Sequence, residues 1–227
     1  MSLSRKIRLC PSILNANRDD LTHEIVRVAS DSDLLHLDVM DNIFVPNETF
    51  SFNESQAIIE SSPIPVDAHL MISNPDENAY LYARAGAKSV TFHLEASENP
   101  LHTIAAIKEN GARASIAVKP STPFAQLEPY LTYLDMVLIM TVEPGFGGQS
   151  FMSEMMPKVA QARAHIDAIG SDIWLQVDGG ISVDTIMIAA KAGADAFVAG
   201  SAVYKAQSPS DMLRELKKLA VSACGLE

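Results

Sequence analysis

Eight short apolar runs rich in β-branched residues recur along this chain, at about 7–13, 34–40, 65–71, 89–94, 114–119, 136–141, 173–178 and 196–200. Each has the length of a strand, and helical patterns with their own start and stop signals lie between them. Asn17-Arg18-Asp19-Asp20 opens a segment carrying Leu21, Ile25 and Val28. Asn74-Pro75 and Asn99-Pro100 each read as a capping residue followed by proline at the first helical position, with stops at Ala85-Gly86-Ala87 and Glu109-Asn110-Gly111. Further starts stand at Ser121-Thr122-Pro123, at Ser182-Val183-Asp184 (ending at Ala192-Gly193-Ala194) and at Pro209-Ser210-Asp211, whose helix runs from Met212 to Ala220. Strand and helix alternate with no linker or composition break, which predicts a single α/β domain over 1–227, a (β/α)8 TIM barrel. An open doubly wound sheet is the competing architecture, but no GxGxxG follows the first strand and the strand count is high for it.

Composition narrows the function. With 227 residues, 48% hydrophobic and 20% charged, the chain can bury one large core. A formal net charge of −11 argues against nucleic acid and anionic membranes as partners. An anionic substrate would have to be captured by local donors, since the global field repels it. Two cysteines, Cys10 and Cys224, make no disulfide framework and suit a reducing compartment. The stretch Met1 to Cys10 is polar and basic without the apolar segment of a signal peptide, and no run of ~18 apolar residues exists to span a membrane. A cytoplasmic protein is expected.

The most informative stretch is Leu34-Leu35-His36-Leu37-Asp38-Val39-Met40-Asp41. Leu34, Leu35, Leu37 and Val39 suggest a strand apolar on both faces, as in a buried parallel sheet. Into it are set an imidazole and a carboxylate two residues apart, hence on one face. Buried charge is costly unless paired or bound to a metal. In a barrel the strand C-termini carry function, and the other runs supply matching groups there: Ser12, His69, His93 with Glu95, Lys119 and Asp178. His36, Asp38, His69 and Asp178 come from three strands and point to metal or acid/base chemistry. Mixed imidazole and carboxylate ligands suit Zn²⁺, Fe²⁺, Mn²⁺ or Co²⁺. His93, between Phe92 and Leu94, fits a supporting or core role as well as a ligand; His23, His102 and His165 read as surface.

A second constellation is glycine-rich. Glu143-Pro144-Gly145-Phe146-Gly147-Gly148-Gln149 follows the sixth run, Asp178-Gly179-Gly180 the seventh and Gly200-Ser201 the eighth. Glycine lets backbone N–H groups approach an anion, and the loops after strands seven and eight are the usual phosphate site of such barrels. No Lys or Arg lies in these motifs, so amides, helix N-termini and the Ser201 hydroxyl would do the binding. Met40, Met71 and Met140 each end a run, where core packing is the ordinary role. Lys119 also ends one; a hydrogen bond or salt bridge at the rim is expected for it rather than a Schiff base.

Together, Cys10-Pro11-Ser12-Ile13-Leu14, His36-Leu37-Asp38-Val39-Met40-Asp41 with Phe44-Val45-Pro46-Asn47, Asp67-Ala68-His69-Leu70-Met71, Met140-Thr141-Val142 through Gln149, Val177-Asp178-Gly179-Gly180-Ile181 and Ala199-Gly200-Ser201-Ala202 resemble the ribulose-phosphate 3-epimerase family. The likeness covers essentially the whole chain, in order. It implies that His36, Asp38, His69 and Asp178 hold one divalent metal, with Asp38 and Asp178 also the two acid/base groups. Ser12 and His69 would contact substrate. Gly145, Phe146, Gly147, Gly148, Gly179, Gly180, Gly200 and Ser201 would receive the phosphate, and Met40, Met71 and Met140 would form a thioether lining. The implied reaction interconverts D-ribulose 5-phosphate and D-xylulose 5-phosphate in the pentose phosphate pathway, on a small-molecule ketose phosphate and in a homo-oligomer. A six-carbon substrate such as D-allulose 6-phosphate is the near alternative, and a non-catalytic sugar-phosphate-binding barrel is the alternative of another class. A decarboxylase or aldolase of related type fits less well, because no lysine lies between Asp38 and Lys88. The chain departs from the family at Asn42, usually glycine, in Asn47-Glu48-Thr49-Phe50-Ser51, and at Leu94 of His93-Leu94-Glu95. The first two departures fall in the loop after the second strand.

Overall fold

Each apolar run becomes one parallel strand in the computed structural model, which describes residues 6–225. The strands are β1 (Arg8–Pro11), β2 (Leu35–Met40), β3 (Val66–Met71), β4 (Ser89–His93), β5 (Arg113–Val118), β6 (Met136–Met140), β7 (Trp174–Asp178) and β8 (Ala196–Ala199). Hydrogen bonding runs β1-β8-β7-β6-β5-β4-β3-β2, and a parallel bridge between Ser12 and His36 joins the two ends into a ring. The basic start read over residues 1–10 lies, for residues 1–5, outside the described part of the chain.

Helices fill the crossovers: α1 (Leu21–Ala29), α2 (Phe52–Ser61), α3 (Pro75–Arg84), α4 (Pro100–Glu109), α5 (Phe124–Leu127), α6 (Met156–Ile169), α7 (Ile186–Lys191), α8 (Ser201–Tyr204) and α9 (Pro209–Cys224). Most begin where the start signals stand. Asn99 accepts a hydrogen bond from the His102 N–H at the head of α4, but Asn74 makes no such bond at the head of α3, where proline alone sets the first turn. The Ser121-Thr122-Pro123 start yields only four residues of α-helix before the chain tightens into a 3-10 segment, Glu128–Tyr133. Pro129 has no N–H to continue the α-helical ladder there. For α2 the signal is a capping box: Glu54 N–H donates to the Ser51 hydroxyl at 3.3 Å, and Ser51 N–H donates to the Glu54 carboxylate at 2.7 Å.

One expectation needs correcting. β2 is not apolar on both faces. Leu35, Leu37 and Val39 join the large core, while His36, Asp38 and Met40, alternating with them, turn into the barrel. The interior is lined with buried polar groups from several strands, among them Asp67, Ser89, Thr91, Ser115 and Gln176. The hydrophobic effect is therefore collected mainly on the outer face of the sheet, where strand residues such as Leu70, Ile116 and Val177 meet helix residues such as Ile107, Val159 and Leu216. The barrel interior is a packed polar layer beneath the strand ends.

Asn42 has φ +56, a left-handed conformation rare outside glycine. The turn that glycine would make is thus still made, by the residue type that tolerates it best. Asn42→Ala should cost about 1 kcal/mol, lowering the thermal midpoint by roughly 2–4 °C, while Asn42→Gly should stay near wild type. Thermal unfolding of the three chains checks this; an alanine variant as stable as wild type would contradict it.

Candidate active site

Strand register assembles the site. Pairing of β2 with β3 sets His36 beside Asp67, Asp38 beside His69 and Met40 beside Met71, and pairing of β6 with β7 sets Met140 beside Asp178. Around the ring β2 and β7 are separated by β1 and β8, so the carboxylates of Asp38 and Asp178 enter the barrel mouth from different sides.

Four donor atoms converge. His36 Nε2 is 3.4 Å from His69 Nδ1, 3.3 Å from Asp38 Oδ1 and 3.8 Å from Asp178 Oδ2. His69 Nδ1 is 3.1 Å from Asp38 Oδ1 and 3.6 Å from Asp178 Oδ2. Nitrogen and oxygen ligands at about 2.0–2.2 Å from a tetrahedral ion lie roughly 3.3–3.6 Å from one another; the contacts made by the two histidines are near this range, and all four donor atoms lie within 4.8 Å of one another. The charges agree. Burial alone would strip the His36 imidazole of its proton, but the Asp38 and Asp67 carboxylates outweigh it and push the group well above its ordinary value. His69 moves the same way against burial, through Asp178 and Asp38. Burial alone would likewise lift the Asp38 carboxyl, yet His36 and His69 hold it well below the usual carboxylate range. Two buried imidazoles this ready to become cations mark a place built for positive charge. The donor set therefore fits one divalent metal of the borderline class.

Three of the four candidate ligands, His36, Asp38 and His69, have a partner behind them. Asp67, fully buried, accepts from His36 Nδ1–H at 2.8 Å, from the Ser89 hydroxyl at 2.6 Å and from the Gln176 amide at 2.8 Å. The remaining oxygen of Asp38, Oδ2, accepts from the Ser12 hydroxyl at 2.5 Å. His69 Nε2 lies 2.9 Å from His93 Nε2, so His93 is no ligand; burial pulls its pKa down to about 4. Lys119 makes neither rim bond expected of its side chain: its ammonium sits 3.8 Å from the centre of the Phe44 ring. The Glu95 carboxylate, at the same rim, is already engaged by the Lys119 backbone N–H, the Thr122 hydroxyl and His93.

Above the cluster opens a pocket enclosing about 510 Å³ of space, part of it open to solvent. Ser12, Asp38 and Asp178 form its floor with Met40, Met71 and Met140. Gly145, Phe146, Gly147 and Gly148 line one side, and Gly179, Gly180, Gly200 and Ser201 complete the wall. Phe146 is half exposed on the rim. His36 and His69 lie beneath the surface, fully buried and outside the lining. Every glycine motif read from the sequence thus meets the strand-end residues in one cavity. A Cβ on Gly180 would fall 2.5 Å from the Phe151 backbone nitrogen, and one on Gly179 within 2.8 Å of that of Val142, so the β7 loop fits against the β6 loop only without side chains.

Two sets of residues escaped the sequence reading. Asn15 lines the pocket, and its side chain sits against both Gly147 and Gly200, close enough that a Cβ on Gly200 would collide with its amide oxygen. Its position just after a strand end was the available signal. Asp67 and Gln176 were missed although Asp67-Ala68-His69 mirrors His36-Leu37-Asp38, with two polar residues on one face of a buried strand.

Comparison with known proteins agrees with this geometry. Residues 8–204 match the family model described as the Ribulose-phosphate 3 epimerase family. The chain is 51% identical over 215 residues to ribulose-phosphate 3-epimerase of Mycobacterium leprae (strain TN), covering 93% of this chain and 94% of that one. It is 48% identical over 218 residues to the ribulose-phosphate 3-epimerase of Mycobacterium bovis, covering 95% and 93%. Among solved structures, KGPDC from Streptococcus mutans superposes with a TM-score of 0.72 at 16% identity over 96% of this chain and 99% of that one, a likeness of fold alone.

Proposed function

This chain belongs to the ribulose-phosphate 3-epimerase family, and from that premise we propose that it interconverts D-ribulose 5-phosphate and D-xylulose 5-phosphate by inversion at C3. The observation that carries the reading is the pair Asp38 and Asp178, both lining the pocket and both facing the two-histidine cluster. Inversion needs a proton taken from one face of C3 and another delivered to the opposite face. On this reading one aspartate removes the C3 proton, the C2 ketone receives the electron pair as an enediolate, and the other aspartate protonates the far face; the reverse reaction exchanges their roles. His36, Asp38, His69 and Asp178 would hold one divalent ion of the Zn²⁺, Fe²⁺, Mn²⁺ or Co²⁺ class. When bound it would supply positive charge to offset the negative charge developing on the enediolate oxygens.

The remaining residues orient and insulate. The Ser12 hydroxyl holds one Asp38 oxygen, fixing the plane of that carboxylate. Met40, Met71 and Met140 wall the pocket with thioethers, which exclude water and offer no competing proton near C3. Backbone amides around Gly145, Gly147, Gly148, Gly179, Gly180 and Gly200, with the Ser201 hydroxyl, suit the phosphate. This local capture matters in a chain whose net charge is −11. The reading extends to a cytoplasmic homo-oligomer in which the whole chain, 1–227, forms one catalytic barrel. Among the described residues no helix is long and apolar enough to cross a membrane.

No observation favours a six-carbon ketose phosphate. A sugar-phosphate sensor would keep the glycine cradle but has no use for paired carboxylates. Turnover in deuterated water is the direct test. Solvent deuterium should appear at C3 of both pentulose phosphates; label at C1 instead would mean an aldose–ketose isomerase and sink the assignment.

A further inference from the structure

The two histidines of the cluster face it with different nitrogens. His36 points Nε2 inward, and its Nδ1–H is held by Asp67. His69 points Nδ1 inward, so its Nε2 looks away towards β4, where no carboxylate meets it. It meets His93 Nε2 instead, at 2.9 Å. The rings lie nearly in one plane, tilted by 26° with centroids 5.1 Å apart, so the two nitrogens address each other edge to edge. One proton belongs between them, and the pair alone does not say which ring owns it.

The far side of His93 does. Its Nδ1 lies 3.3 Å from Glu95 Oε2. An ionised carboxylate only accepts, so His93 must carry its proton on Nδ1. A neutral imidazole protonated there presents a bare Nε2. His69 must then donate from Nε2, so that when its ring is neutral the lone pair is on Nδ1, facing His36, Asp38 and Asp178. Glu95 is itself anchored, accepting from the Lys119 backbone N–H at 2.7 Å and from the Thr122 hydroxyl. The Phe44 ring packs against His93 at 4.8 Å between centroids, and the Lys119 ammonium covers Phe44. None of these groups lines the substrate pocket.

We propose that His93 and Glu95 are positioning residues: a two-step relay, anchored at the mouth of β5, that fixes the tautomer of His69 so that its Nδ1 can hold the metal. The proposal rests on the metal-site reading above. Supporting groups behind metal-bound histidines are generally worth about 10–100-fold in metal affinity, and here the support is passed through a second imidazole.

Two measurements on the full chain test it. Nitrogen-15 spectra of the histidine side chains, with and without Zn²⁺, should show His93 protonated at Nδ1 and bare at Nε2; protonation at Nε2 would overturn the relay. Competition with a chelator should show Zn²⁺ held about 10–100-fold more weakly by His93→Leu, with most of the loss restored in His93→Gln, whose amide oxygen can accept the same N–H. Unchanged affinity in His93→Leu would overturn the relay while leaving the metal site standing. A wild-type chain that binds none of Zn²⁺, Co²⁺ or Mn²⁺ would sink the metal-site reading instead. Should the leucine variant not fold, the wild-type spectra still decide.

Discussion

Asp178→Asn, saturated with divalent ion, is expected to lose epimerisation by about 10²–10⁴-fold, the range ordinarily carried by one general acid/base group. Asparagine keeps the shape of the side chain and an oxygen that can still face the cluster, but it cannot carry a proton to or from C3. The phosphate contacts expected of Gly145, Gly147, Gly148 and Gly200 are on other loops, so inorganic phosphate should still bind within a few-fold of wild type. Two-base chemistry adds a sharper outcome. Asp38 remains beside the pocket, held at Oδ2 by Ser12, and serves one face of C3 only. In deuterated water the variant should therefore wash solvent deuterium into one of the two pentulose phosphates and not the other. Equal wash-in to both, or near-normal turnover with the metal content verified, would remove Asp178 from its assigned role.

Gly180→Ala is expected to damage the phosphate cradle and the fold together. The residue has φ +67, and a Cβ there would meet the Phe151 backbone at 2.5 Å from N and 2.6 Å from Cα. Backbone cannot swing aside as a side chain can, so the β7 loop must part from the β6 loop. Left-handed strain adds about 1–2 kcal/mol, and with the displacement the loss should reach roughly 2–4 kcal/mol, the range of severe single substitutions. At this chain length that lowers the thermal midpoint by about 5–15 °C. Inorganic phosphate should bind at least about tenfold more weakly, since each 1.4 kcal/mol is a factor of ten. Gly111→Ala separates the causes: it has φ +88 but nothing within 4 Å of its Cβ position, so it should show the strain alone and bind phosphate normally. Wild-type phosphate affinity in Gly180→Ala would refute the cradle.

Both predictions rest on features of different origin. The strands were legible because a strand end, a helix cap and a glycine-rich turn are local facts. All eight apolar runs became strands within a residue or two, and Asn99-Pro100 and Pro209 opened helices where they stand in the chain. The four candidate ligands were legible because charge inside an apolar run is costly wherever the run ends up. The sequence also held the capping box at Ser51 and Glu54 and the Asp67-x-His69 step, signals that local reasoning passed over.

Composition and motif order determined the barrel, the loops that face substrate and the kinds of side chain gathered there. Only the tertiary structure decided who touches whom: Ser12 on Asp38 across the closing bridge, Asp67 and Gln176 behind His36, Asn15 wedged between Gly147 and Gly200, and His93 with Glu95 behind His69. The reason is physical. A buried polar group announces in sequence that it needs a partner, but the partner comes from another strand. Which residue that is depends on register and ring closure, and these are set by the packing of the whole sheet rather than by any neighbour along the chain.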